Sequence, residues 1–559
     1  MATLVYVLIL LPIGWLLYNG YCLFRNFIKA SALGLPCIVS PITPDNPLWI
    51  AFQTAFGAKL RYFPFDATSF TRHIRLGWEF HDRCQTHARL GDAWILVTPA
   101  RNWLYVADNK AITEIFSRNR DFKRPVWMLE ILNVFGPSIS TAVGQDWQRQ
   151  RKLTATPFNE QKSPLVWNEA LDQARDMLNS WLSSTDNSGG FTTTPDDTRT
   201  LALHVLAYVA FQRSYPFQSV PKTGNSGTVV KDASSLTYRD SLAIILANVF
   251  MVMIFPLSAF SLPFGRSYMM KQLRDEQQLM KSGQPGTGTL VSNLVRASSE
   301  TLPSESTNGG SAMKPLTESE ILGNIFVFNF AGHDTTAISL AYGVLLITAN
   351  PAVQDWIHEE LQYYLRDDSI SSYNEVFPKL KRCLAVLFET LRLYNPLPGV
   401  PKYTGEQPTH LDVHGKTYII PPDTLVIPNL QAAHTDPRHW GSDSRTWRPQ
   451  RWILRSNPGS VKLEDEEVFK PAKGTYFPWA EGTQNCPGRK FAQVEFVAVM
   501  VALLRDHLSE PVPRDGESLD DARGRTLAVV NDSNVELLLQ MRNPRDIVVR
   551  WRKRKMNLS

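Results

Sequence analysis

One segment limits the fold more than any other. Thr317 and Glu320 stand three apart in the pattern of a capping box, and Asn350-Pro351 supplies a stop. The residues between predict a helix over Glu318–Ala349, apolar nearly all round and therefore buried. At about 1.5 Å per residue it runs roughly 48 Å, enough to cross a domain. A chain that buries such a rod needs a large body around it. Near its centre the apolar pattern is interrupted by Gly332, His333, Asp334, Thr335 and Thr336. Polar groups placed there need partners or a task. They are also costly in lipid, so the 321–350 run reads as a buried or membrane-dipping helix and not a membrane span.

The rest of the body reads as helix with short strands. A helix over Lys379–Leu393 ends before Asn395-Pro396, and another over Arg489–His507 follows Cys486 directly. The stretch TYIIPPDTLVIPN predicts short strands broken by prolines. Two polar stretches, 183–198 and 282–315, read as surface loops. Neither is flanked by signs of a separate core. The expected fold is mainly α with small β-sheets, one large domain over residues 50–545. A net charge of +5 on 559 residues gives no reason to invoke nucleic acid.

The N-terminus adds a membrane segment to that expectation. No charged residue occurs from Met1 to Phe24, a length close to the roughly 20 residues that span a bilayer. Arg25 and Lys29 follow it, which predicts a retained transmembrane signal anchor over 1–24 with the body in the cytosol. Prolines 36, 41, 44 and 47 make 25–49 read as a semi-rigid linker. The uncharged 241–264 run, broken by Pro256 and Pro263, reads as buried or membrane-dipping. The basic end, residues 546–559, reads as a solvated tail, with contact to anionic lipid as the alternative.

Five cysteines (22, 37, 84, 383 and 486) show no zinc spacing and suggest no disulfide framework. Four read as small buried apolar residues. Cys486 differs. It lies in FPWAEGTQNCPGRKFAQVEF, preceding a helix whose dipole and N–H groups favour thiolate. Thiolate suits a soft or borderline metal, and Gly482 and Gly488 let backbone approach a large planar ligand. The segment alone also fits a reactive cysteine nucleophile.

Taken together, these motifs resemble those of the cytochrome P450 family, in its filamentous-fungal members. The family's cysteine loop, F-x-x-G-x-R-x-C-x-G, appears here as Trp479, Gly482, Gln484, Cys486 and Gly488. Trp replaces Phe. Gln replaces an Arg whose cation contacts a haem propionate in the family. Glu389 and Arg392 match its E-x-x-R, and Arg451 in Pro449-Gln-Arg-Trp452 completes its structural triad. Ala331 to Thr336 match the oxygen-activating segment, with Gly332 leaving room for a diatomic ligand and Asp334 and Thr335 relaying protons. Trp147 and Arg151 match W-x-x-x-R, and Lys402 falls where the family places a further propionate-binding cation.

The resemblance implies haem b, iron protoporphyrin IX, ligated by the Cys486 thiolate. It implies a monooxygenase that hydroxylates, epoxidises or further oxidises a lipophilic small molecule. The resemblance to fungal members points to terpenoid, polyketide or alkaloid secondary metabolism. Electrons are expected from NADPH through a membrane-bound NADPH–cytochrome P450 reductase, with cytochrome b5 as an additional donor, at the endoplasmic reticulum. A haem-thiolate isomerase or dehydratase, a non-catalytic haem sensor and a cysteine hydrolase are the rival readings. The acid–Thr pair at 334–335 argues against the isomerase, and no His/Asn set supports the hydrolase.

Overall fold

A computed structural model describes residues 2–60, 70–155, 160–212, 214–218, 263–283, 289–299, 314–365, 372–457, 459–535 and 537–555. The helices that position the site are, in chain order, α1 (Ala2–Ser31), α2 (Asn109–Ser117), α3 (Gly144–Ala155), α4 (Ser163–Ser188), α5 (Thr194–Phe211), α6 (Glu318–Ala349), α7 (Lys381–Leu393) and α8 (Arg489–Leu504). The strands are β1 (Cys37–Val39), β2 (Ala93–Val97), β3 (Asn102–Val106), β4 (Lys402–Tyr403), β5 (Thr409–Val413), β6 (Lys416–Ile420), β7 (Thr424–Pro428), β8 (His507–Pro511) and β9 (Val549–Lys553).

Helix α6 has the bounds its sequence predicts. The Thr317 hydroxyl accepts the Glu320 N–H and the Glu320 carboxylate accepts the Thr317 N–H, closing the capping box. The helix is long and apolar enough to cross a membrane, yet it lies in the core between α5, α7 and α8. Missing side chains let its neighbours close in. A methyl on Gly343 would stand 2.8 Å from the Phe496 ring of α8, and one on Gly323 would stand 2.3 Å from the Gly136 carbonyl oxygen. Past its first turn, the burial of α6 is interrupted only over 330–335, where Ala331 is exposed. The packing therefore opens at the polar interruption.

A five-stranded sheet, in the order β1-β2-β3-β7-β4, flanks this helical layer. β1 runs parallel to β2, β3 parallel to β7, and the other pairs are antiparallel. β2, β3 and β7 are buried along their whole length, which explains their continuous apolar runs. The TYIIPPDTLVIPN stretch forms β6 and β7, with Pro421-Pro422 between them. β5 and β6 make an antiparallel hairpin. Helix α7 starts two residues later than predicted, and α8 stops at Leu504 because His507 already pairs in β8.

Five sequence expectations change. α1 does not end at Phe24 but continues through Arg25 and Lys29 to Ser31. Its last turns dock on the body: the Asn26 amide donates to the Thr98 and Pro99 carbonyls, Asn102 donates to the Asn26 carbonyl, and Ala30 is fully buried. The 25–49 segment is thus no free spacer, since it also supplies β1 to the sheet. Likewise 546–559 is not simply a solvated tail. β9 alternates, with Val549 and Trp551 buried, Arg550 and Arg552 paired to Glu510, and Arg554 paired to Asp355. The polar 183–198 stretch is mostly helix, because buried Asp197 accepts from Trp181 and Thr193 and so ties α4 to α5. Within 282–315 a helix over Leu290–Ser299 buries Leu290, Val291, Leu294 and Val295. All but the last two residues of the 241–264 run lie outside the described residues.

Candidate active site

The loop before α8 is fixed by close backbone contacts. The Cys486 N–H donates to the Trp479 carbonyl at 2.9 Å. Gly482 has φ +71°, and a side chain there would reach within 2.5 Å of the Phe116 carbonyl oxygen in α2. Only glycine satisfies both demands. Cys486 itself is exposed, so its sulfur keeps an open flank. Protein crowded on its other sides pushes the thiol's pKa up, against the Gly488 N–H and the Arg151 guanidinium, which pull it down. An unassisted thiol here stays protonated, which weakens the nucleophile reading. A bound metal cation would reverse that balance.

The two residues before Cys486 hold two cations from distant elements. Asn485 Oδ1 accepts from Arg151 of α3 at 2.9 Å, and Gln484 Oε1 accepts from Lys402 of β4 at 2.9 Å. Arg124, which the sequence reading did not single out, joins them. Its guanidinium lies 5.9 Å from the Trp147 ring centroid and donates to the Ile139 carbonyl. Burial and Arg151 push Arg124 down to about 10, and burial and Arg124 push Lys402 down to about 8. Among the described residues no carboxylate pairs with Arg124, Arg151 or Lys402. The buried Trp147 indole N–H has no partner either. A largely shielded donor set of this kind suits a dianion. The two propionates of a haem would fit it in charge and in donor type.

Glu389 presents the opposite case. Its carboxylate receives Arg392 Nε and Nη2 at 2.8 Å each, Arg451 Nε at 2.9 Å, the Trp452 indole at 2.8 Å and the Arg448 backbone N–H at 2.8 Å. Arg392 also donates to the His434 carbonyl at 2.8 Å. Glu389 and Arg392 are fully buried, and the ion set is satisfied by the chain's own groups, Asp443 pairing with Arg451 as well. The structure brings Glu389, Arg392 and Arg451 together as the sequence predicts, with Trp452 as a partner the motif did not announce.

On α6, Thr335 Oγ1 donates to the Ala331 carbonyl at 2.7 Å, and Thr336 and Ser339 make the same bond to carbonyls four residues back. Asp334 accepts from Arg199 Nε of α5 at 2.8 Å and lies 3.3 Å from His333 Nε2. Gly332, partly exposed, also borders α5: a methyl there would meet the Leu206 side chain at 3.2 Å. Ala331 is the most open residue of this stretch.

This arrangement agrees with what comparison with known proteins finds. The family model for cytochrome P450 matches residues 71–538. The chain belongs to the cytochrome P450 family. A P450 monooxygenase of Arthrobotrys oligospora is 27% identical, over 95% of this chain and 96% of its own. The phomenoic acid biosynthesis cluster P450 monooxygenase of Leptosphaeria maculans is also 27% identical, over 91% and 92%. A crystal structure of a cytochrome P450 superposes with a TM-score of 0.63 at 20% identity, covering 85% of this chain and 94% of that one, which speaks for the fold alone. Membership makes the chain an oxidoreductase of the monooxygenase family and implies a haem held by a cysteine thiolate.

Proposed function

We propose that Cys486 is the haem-iron ligand of a monooxygenase acting on a lipophilic small molecule. One observation carries the assignment. Three consecutive residues, Gln484, Asn485 and Cys486, hold Lys402, Arg151 and an open thiol. The metal-binding atom and the carboxylate-binding cations are thereby referenced to one short, backbone-locked loop. When bound, the haem supplies dioxygen chemistry: substrate, O2, two electrons and two protons give oxygenated product and water.

The remaining work falls to side chains. Trp147, Arg124, Arg151 and Lys402 bind the propionates and orient the ring. Glu389, Arg392 and Arg451 hold the scaffold beneath the loop. Asp334 is the proton-carrying acid, and its ion pair with Arg199, itself partly exposed, links it to solvent. Thr335 delivers the proton by letting go of the Ala331 carbonyl, at the one stretch past its first turn where α6 is open.

Residues 1–24 are the proposed endoplasmic-reticulum anchor, supported by a helix whose Leu10, Leu11, Trp15, Leu16 and Leu17 are exposed. A membrane-bound NADPH–P450 reductase, with cytochrome b5 as an additional donor, would then meet the cytosolic body. Likeness to a relative from a biosynthesis cluster supports a secondary-metabolite substrate of terpenoid, polyketide or alkaloid type. The test of the ligand is Cys486→Ala. The reduced carbonyl complex should lose its thiolate-type Soret shift, and a retained shift would refute the assignment.

A further inference from the structure

Lys402 and Gln484 stand 82 residues apart in the chain, yet their side chains bond at 2.9 Å. Lys402 is 2% exposed. An ammonium can only donate, so the atom of Gln484 facing it must be the amide oxygen. That fixes the amide: its NH2, with two N–H donors, turns away from the lysine. The ammonium keeps two N–H groups of its own for another acceptor. The pair therefore presents one positive charge and several donors, close to what a single arginine fork offers a carboxylate. It does so where the family's loop pattern has arginine and this chain has glutamine.

The charges around it support the same reading. Buried Lys402 and the half-buried Arg124 and Arg151 already give three cations for the two propionates of a haem, with no carboxylate of the described residues among them. An arginine at 484 would be a fourth cation, set against the Lys402 ammonium in a low-dielectric setting where like charges repel strongly. A neutral amide avoids that repulsion and still orients the lysine.

We propose that Gln484 is a positioning residue: it holds the Lys402 ammonium, and the two side chains act as one propionate-binding unit in place of the loop arginine. The proposal rests on the haem reading above and adds to it which residue makes Lys402 effective.

The test uses the purified, haem-loaded full chain and needs no substrate. The readouts are haem stoichiometry, the first-order rate of haem transfer to excess haem-free globin, and thermal unfolding of the haem-free form. Gln484→Leu and Lys402→Met should each speed haem transfer by about tenfold, the scale of one charge-assisted hydrogen bond. The double variant should be no faster than Lys402→Met alone, because the glutamine acts through the lysine. The exchange Lys402→Gln with Gln484→Arg should return the rate to near that of the unaltered chain. Gln484→Glu supplies an independent arm. Its carboxylate should raise the unfolding temperature of the haem-free form by pairing with Lys402, and speed haem loss by neutralising it. An unchanged rate in Gln484→Leu would overturn the proposal. So would an equal effect of Gln484→Leu with and without Lys402→Met, or full haem retention in Gln484→Glu. If the unaltered chain takes up no haem, the haem reading itself falls, a result distinct from all of these.

Discussion

Replacing Glu389 by Gln removes one charge and almost no volume, which makes it a clean probe of the scaffold under the cysteine loop. In the folded protein this carboxylate is fully buried and accepts five hydrogen bonds, from Arg392, Arg451, Trp452 and the Arg448 N–H. Glutamine keeps one acceptor oxygen and turns the other site into a donor facing donors. Arg392, also fully buried, would lose its carboxylate partner, while Arg451 would keep only Asp443. Breaking a buried pair by removing one partner costs about 3–5 kcal/mol, mostly for the charge left behind. At about 2.1 cal/mol/K per residue, a chain of 559 residues unfolds with an entropy of roughly 1.2 kcal/mol/K. The midpoint should therefore fall by roughly 3–4 °C, a modest shift for a severe local defect. A more telling assay follows haem retention during purification, since α7 and the cysteine loop share contacts through Phe388 and Trp479. The triple exchange of Glu389, Arg392 and Arg451 for apolar residues of similar volume should be milder than Glu389→Gln alone, because no orphan charge remains. If Glu389→Gln keeps both the midpoint and the haem of the parent, the claim that this carboxylate neutralises the set is wrong.

Further outcomes follow from the same geometry. The haem-free chain should become more stable as pH rises from about 8 to 10.5. Lys402 is held down to about 8 in the folded state against an ordinary 10.5, so the unfolded chain binds the extra proton in that window. The gain is at most about 3 kcal/mol, and Lys402→Met should flatten it in unfolding curves taken across pH. Thr335→Ala should leave haem binding intact but uncouple NADPH consumption from product and raise peroxide; unchanged coupling would count against the relay. Gly323→Ala should cost about 1–3 kcal/mol in chemical denaturation, because a methyl would stand 2.3 Å from a backbone oxygen that cannot move aside cheaply. Deleting residues 1–24 should shift the protein from the membrane to the soluble fraction, and persistence in the membrane would locate a second attachment in the body.

What the sequence disclosed followed the range of the interactions involved. Helix α6 and its capping box were legible because their determinants lie within a few residues of one another. The Glu389 set was legible because two of its members are three residues apart on one helix face and the third falls in a recognisable segment. Arg124 was not, since its place depends on a loop brought against Trp147 by the fold. Arg199 reaches Asp334 across 135 residues, and no local pattern announces that. The C-terminal segment misled for another reason. Its cations dominate its composition, while the alternation of Val549 and Trp551 that makes it a strand is only two residues strong. Gly332 shows a different limit: its sequence context gave no sign that it also borders Leu206 of α5.

The two charge clusters of this protein are built to different rules, and the difference supports the proposed place of the cofactor. Around Glu389 every acceptor position is filled by the chain's own donors, so nothing remains for an outside partner. Around Lys402 three cations crowd together, and the pKa of each is depressed. Such crowding is destabilising in the empty protein. A fold that keeps buried Lys402 close to the half-buried Arg124 and Arg151, beside an orphan indole N–H and one loop away from exposed Cys486, suits a bound group that brings the counter-charge, as proposed above. The same reasoning explains why glutamine is acceptable at 484. Once Arg124, Arg151 and Lys402 outnumber the propionates, a further cation would add repulsion and no new partner, whereas an amide adds orientation at no cost in charge.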